Sequence, residues 1–266
     1  MTRVFVPRLA PDVTKGSLRL LMGKLARERR RRFRQNFRAW QASVGAALPS
    51  WLVRRFGHAV HHLDLWLIDY GFIREVYGNL HQVRDGLWRS AQPAPRHLRA
   101  AAERGVRRVI NLRGEEPYGG YWLEKETCAH LGLELVDLRL RSRAAPPRHD
   151  IAAMRAAIEA IDRPTLVHCK SGSDRTGLFC TLYLILRENV PVAEARRQLS
   201  LRYGHIRLTK TGILDHLFDQ YLEYDARSPM PFAEWLDTIY DPEMLVASFR
   251  KQGWLGRLPR ANSEGR

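Results

Sequence analysis

Thr165-Leu166-Val167-His168-Cys169-Lys170-Ser171-Gly172-Ser173-Asp174-Arg175-Thr176-Gly177-Leu178 is the stretch on which the fold turns. Thr165 to His168, β-branched and apolar, read as a short buried strand. A tight loop rich in glycine and serine follows, and residues 176–186 are apolar enough for a core helix. A strand feeding a small-residue loop into a helix N-terminus builds an anion site. Loop N–H groups converge on one point, and the positive end of the helix dipole faces it.

Two side chains make that site reactive. Cys169 opens the loop and Arg175 closes it. A thiol facing amide N–H groups, a helix N-terminus and a guanidinium loses its proton easily; such settings bring thiol pKa values to roughly 3.5–7.5. Arg175 offers a planar fork matched to two oxygens of a phosphate or sulfate. Gly172 and Gly177 permit close backbone approach to the oxyanion. The chemistry that fits is phosphoryl transfer to cysteine, set against the plain alternative of a structural cysteine beside a surface arginine.

His168-Cys169-Lys170-Ser171-Gly172-Ser173-Asp174-Arg175-Thr176-Gly177 resembles the His-Cys-x5-Arg-[Ser/Thr]-Gly signature of cysteine-dependent protein tyrosine and dual-specificity phosphatases. The form with Asp before Arg is similar to bacterial tyrosine phosphatases and to phosphatases acting on phosphoinositides. Trp88-Arg89-Ser90-Ala91-Gln92-Pro93, with Val109-Ile110-Asn111-Leu112-Arg113 later, resembles the front of the compact dual-specificity enzymes. The resemblance implies an α/β fold, a mainly parallel central sheet flanked by helices, over roughly residues 81–225.

With 266 residues, the chain is long enough for one ordinary domain plus extensions. Hydrophobic content of 45% supports a packed core and excludes global disorder. A net charge of +16 favours acidic partners: phosphorylated molecules, anionic lipid surfaces or nucleic acid. Cys128, Cys169 and Cys180 make no disulfide framework. No signal peptide or bilayer-spanning run is read near the N-terminus, so the cytoplasm is the default, with peripheral membrane attachment left open.

Residues 1–47 read as a basic, partly helical arm, in which Phe33, Phe37 and Trp40 recur at helical spacing amid arginines. Such a helix suits an anionic membrane surface or packing on the main domain. Nucleic acid is disfavoured, because no DNA-reading motif is present. Residues 48–80 read as a helical segment packing on the core, and His58, His61 and His62 as packing or surface groups rather than metal ligands. Strands are expected over 87–91, 107–112 and 133–140. Helices are expected to about 104, over 121–130, over 150–161 with Asp150 as N-cap, over 192–203 and over 211–224. Residues 226–266 read as a C-terminal helical tail. No metal or cofactor is implied, and the oligomeric state is left open.

The resemblance assigns roles. Cys169 is the expected nucleophile and Arg175 the oxyanion clamp. Thr176 eases departure of the sulfur, Lys170, Ser171, Gly172 and Ser173 hold the phosphoryl oxygens, and His168 and Gly177 support the loop. The general acid is less plainly written. Asp174 lies in the loop itself, where similar bacterial enzymes place an acid. Asp137, about thirty residues before the cysteine, is the alternative, though it falls inside an apparent strand. His205 and Lys210, after the catalytic helix, are candidate substrate groups. The leaning is a protein tyrosine or dual-specificity phosphatase, with a phosphoinositide, phospholipid or inositol phosphate phosphatase second. Sulfur transfer, arsenate reduction and a non-catalytic phosphate-binding adaptor are the readings from other classes.

Overall fold

The computed structural model describes residues 78–116 and 119–252. The chain divides into two units, Met1–Ala59 and Val60–Arg266, and the described residues belong to the second. The expected arm over 1–47, nearly all of the segment over 48–80 and the end of the tail lie outside them, as does the membrane reading of the arm.

One sheet runs in the order β1-β2-β5-β3-β4, from β1 (His81–Arg84), β2 (Leu87–Ser90), β3 (Arg108–Asn111), β4 (Glu134–Asp137) and β5 (Thr165–His168). β1 is antiparallel to β2, and the remaining pairings are parallel. Every residue of β3 and β5 is buried. This follows from a parallel sheet covered on both faces, which buries the polar Arg108, Asn111, Thr165 and His168 at the strand ends along with the apolar residues between them. Alternation sorts the side chains. Val109 and Leu166 join Leu98, Ala101 and Cys128 on one face. Ile110 and Val167 join Leu178, Phe179 and Leu182 on the other.

The helices α1 (Pro95–Glu103), α2 (Gly119–Leu131), α3 (Arg148–Glu159) and α4 (Asp174–Leu186) connect and cover the strands. From Thr176 to Ile185, α4 is buried all round, as its predominantly apolar sequence requires. Asp150 does not cap α3. Pro147 holds the N-cap position, and Asp150 lies buried in the first turn, where a carboxylate still complements the helix dipole. The strand expected over 133–140 is limited to Glu134–Asp137, although the Leu138 and Leu140 N–H groups still donate to Asn111 and Leu112.

The helix expected over 192–203 is broken into α5 (Val192–Ala195) and two 3-10 turns, Arg196–Gln198 and Leu201–Tyr203. Its physical cause is specific. The Gln198 carbonyl accepts from Arg89 Nη1 at 2.8 Å instead of from a helical N–H. Beyond it, α6 (Ile213–Asp225), α7 (Phe232–Thr238) and α8 (Pro242–Lys251) complete the described chain. In the segment read as a C-terminal helical tail, Phe232, Trp235, Leu236, Tyr240, Leu245 and Phe249 join the core cluster around Phe179 and Leu182. Tyr240 donates to the Pro146 carbonyl, and Arg148 to those of Leu236 and Asp237, tying α7 and the turn after it to the loop before α3. Among the described residues, no helix is long and apolar enough to cross a membrane.

Candidate active site

β5 is flanked on both sides, with Ser90 and Asn111 each in register with His168. The loop after His168 therefore emerges at the C-terminal edge of a parallel sheet, between its halves, where open α/β folds form crevices. It runs from Cys169 into the first turn of α4, with Ser173 at the N-cap position.

The loop's carbonyls are claimed from outside. That of Cys169 lies 3.1 Å from His168 Nδ1, and that of Lys170 accepts from the Gln92 N–H. Ser171 accepts from Asn79 Nδ2 at 2.9 Å. Gly172 and Ser173 accept from Arg89 Nη2 at 2.7 and 3.3 Å. With the carbonyls turned outward, the N–H groups of the same peptides turn toward the centre of the loop. Gly172 has φ +73°, and a Cβ there would lie 2.7 Å from the Ser90 and Ala91 backbone, so the loop closes only with glycine.

Arg89 is the hub of this support. It has 0% exposure, donates to the Gln198 side chain as well as its carbonyl, and lies 3.7 Å over the Tyr203 ring. No carboxylate partner of Arg89 is found among the described residues, so its charge is met by carbonyl dipoles and an aromatic face. A second group braces the loop from β5. His168 Nε2 lies 2.5 Å from Glu124 Oε1, both side chains having no exposed surface. Glu124 accepts from Gln92, and Gln92 from Arg113. The sequence reading saw His168 as a support but missed Asn79, Arg89, Gln92 and Glu124. A charged residue in the middle of a four-residue strand, Arg89, was the one available signal.

Cys169 is 2% exposed. Burial would push its thiol pKa up, but the Arg175 guanidinium, the Thr176 hydroxyl and the N–H groups of Thr176 and Gly172 outweigh it, and the net shift is downward. The Thr176 Oγ1 finds no oxygen or nitrogen partner, and its hydroxyl is among the groups that lower the Cys169 pKa. The other two thiols go the opposite way: burial pushes Cys180 up to about 11 and Cys128 up to about 12. Only one cysteine of the three is held toward its thiolate. Arg175 Nε is buried without a partner, and Nη1 reaches the Leu112 carbonyl only at 3.4 Å, which leaves the fork's donors to the loop.

Asp174, in the first turn of α4, has its Oδ1 2.7 Å from His205 Nδ1. His205 Nε2 lies 2.7 Å from Asp215 Oδ2. The expectation that His205 meets substrate is corrected: it is 1% exposed, and both ring nitrogens are taken. Asp137 ends β4 with both carboxylate oxygens engaged, accepting from Asn111 Nδ2 at 2.7 Å and from the Tyr121 hydroxyl at 2.5 Å. Two strand spacings, roughly 10 Å, separate β4 from β5. Beside Asp174 opens a cavity of about 350 Å³, lined also by Arg143, Ile206, Thr209 and Lys210. The structure thus brings Lys210 near the loop and adds Arg143, which the sequence reading passed over. Among the described residues no cluster suited to a metal ion occurs.

Residues 87–208 match the family model described as "Swiss Army Knife protein, DSP-PTPase phosphatase domain". Solved structures with similar folds include that of P. aeruginosa TpbA, at 17% identity over 65% of this chain and 91% of that one, with a TM-score of 0.44. PTPMT1 is similar at 19% identity over 56% and 99%, TM-score 0.42. Human DUSP28 is similar at 19% identity over 55% and 95%, TM-score 0.37. No curated protein matches the sequence.

Proposed function

We propose, from the match of residues 87–208 to a dual-specificity-type phosphatase domain model, that the protein hydrolyses phosphate monoesters of proteins, tyrosine and then serine or threonine, through a cysteinyl-phosphate. The observation that carries the mechanism is the single thiol held toward its anion, at a loop whose carbonyls are drawn outward. In this reading the Cys169 thiolate attacks phosphorus; the S–P bond forms as the bond to the leaving oxygen breaks. Arg175 and the amides of residues 170–175 hold the equatorial oxygens through the change of geometry. Asp174 gives its proton to the leaving oxygen, then takes one from the water that hydrolyses the intermediate. Thr176 stabilises the departing sulfur.

Asp174 is preferred over Asp137 because it stands in the loop and borders the open cavity, whereas both oxygens of Asp137 are engaged. Asp174→Asn should slow phenyl phosphate hydrolysis by about a hundredfold and p-nitrophenyl phosphate by far less, since a good leaving group needs little protonation. Asp137→Asn should leave the ratio of the two rates unchanged. A ratio that moves with Asp137 instead would reassign the acid.

A second reading of the substrate has its own observation. Arg143 and Lys210 bring two cations to the wall of the cavity beside Asp174, and among the described residues its lining includes no aromatic side chain. That suits a second anionic group better than a tyrosine ring, and points to a phospholipid headgroup or inositol phosphate. If this reading holds, Arg143→Ala and Lys210→Ala should each raise KM for a doubly phosphorylated inositol by about tenfold, with kcat kept. They should leave a phosphotyrosine peptide unaffected. Unchanged KM values on both, with the peptide the better substrate, would decide for protein.

A further inference from the structure

Asp174 is one end of a buried chain of three groups. His205 follows Gly204, whose left-handed turn (φ +77°) ends the 3-10 turn Leu201–Tyr203, and its N–H donates to the Ser200 carbonyl. The ring is wedged between two helix starts: Asp174 in the first turn of α4 and Asp215 in the first turn of α6. Each nitrogen meets a carboxylate oxygen at 2.7 Å. The Asp215 side chain keeps 11% of its surface open and that of Asp174 23%. The arrangement is closed at the Asp215 end and open at the Asp174 end.

We propose that His205 stores the proton that Asp174 uses, and that Asp215 holds the ring in place to do so, making His205 and Asp215 positioning residues of the reaction. The proposal rests on the reading of Asp174 as the acid and base. The balance is simple. The His205 Nδ1–H bond breaks as an O–H bond forms on Asp174, turning imidazolium and carboxylate into imidazole and carboxylic acid. That acid proton passes to the leaving oxygen as the ester bond breaks. When water attacks the cysteinyl-phosphate, its proton returns to Asp174 and from there to Nδ1. Throughout, Nε2–H remains bonded to Asp215, so no second proton need leave the interior.

Electrostatics agree with the geometry. Burial lowers the proton affinity of the ring, but the hydrogen bonds to Asp174 and Asp215 and their charges outweigh it, and the pKa rises to about 9. The charged groups facing the ring are Asp174 from α4 and Asp215 from α6; Arg143 and Lys210 lie farther out, on the cavity beside Asp174. Because the folded value lies above the ordinary value of 6.5, the ring keeps its proton through neutral pH and loses it only as pH climbs through about 9. A helix-capping ion pair alone would need no such buried partner on the far side.

The test is the full-length protein carrying Asp215→Asn, assayed with phenyl phosphate and p-nitrophenyl phosphate across pH. Expected is a fall of about tenfold or more in kcat for phenyl phosphate, with KM kept and p-nitrophenyl phosphate within about threefold. The alkaline limb of the phenyl phosphate profile should move to lower pH, because the ring gives up its proton earlier. Asp215→Glu should restore part of both. An equal fall on the two substrates, or a limb that stays in place, overturns the proposal. Asp174→Asn separates the two levels: if it too leaves the leaving-group dependence untouched, the acid assignment itself has failed. If only Asp215→Asn leaves it untouched, the store alone has failed. Should Asp215→Asn not fold, imidazole nitrogen resonances of the unaltered protein decide. A buried ring holding both protons at pH 8 is expected, and its absence overturns the proposal.

Discussion

Cys169→Ser is expected to remove turnover, with kcat down on the order of 10⁵-fold or more, as when the nucleophile of a covalent mechanism is lost. The loop offers the sulfur what an anion needs: the Arg175 charge, the Thr176 hydroxyl and the N–H groups of Thr176 and Gly172. A serine hydroxyl is a far weaker acid, and none of these groups accepts its proton, so the replacement remains a neutral alcohol and a poor nucleophile. Ligand binding should survive or tighten, because a negative sulfur no longer faces a dianion. The melting temperature should change little, since a small buried atom is exchanged for one close in size. Steady-state rates with p-nitrophenyl phosphate, calorimetry with a phosphate ester and a thermal melt check all three. Residual activity within tenfold of the unaltered protein would refute the cysteinyl-phosphate pathway.

Arg175→Ala should lower kcat/KM by roughly 10³–10⁵-fold, the range over which a phosphate-clamping arginine acts. Two losses combine in it. The fork that grips two oxygens disappears, and so does the leading charge that lowers the Cys169 pKa. Loss of a cation raises the proton affinity of a neighbouring thiol, so the acidic limb of the kcat/KM profile should shift to higher pH. Arg175→Lys returns the charge without the planar fork and should restore the limb more than the rate. A rate loss with no movement of the limb would mean that Arg175 binds substrate without ionising the thiol.

Much of this was legible in the residues, and what was not has a physical explanation. The strand, loop and helix around Cys169 were readable because β-branched residues, glycine and a predominantly apolar run each have one good use there. The break after Ala195 was not. Its cause lies in Arg89, far away in sequence, which draws the Gln198 carbonyl out of the helical pattern. Tertiary contacts of this kind override local propensity and leave no local trace. The N-cap of α3 lies three residues before the expected Asp150, at Pro147, and Asp150 takes its place in the first turn, where a carboxylate is equally welcome. The aromatics of the C-terminal helices look like those of any amphipathic helix; that Phe232 and Trp235 stack 6.1 Å apart within the main core is a fact of packing. His205 shows the limit most clearly. A histidine in a polar loop reads as an exposed contact, and only folding could bring Asp174 and Asp215 to its two nitrogens.

The outward-drawn carbonyls between Cys169 and Ser173 have one more implication. A loop fastened at each peptide by the scaffold has its shape before any oxyanion arrives, so its ordering belongs to the folding equilibrium and not to the binding one. Tetrahedral and trigonal-bipyramidal oxyanions then differ in affinity only by how well they fill a fixed mould. Discrimination between a resting ester and its half-transferred form is built in during folding.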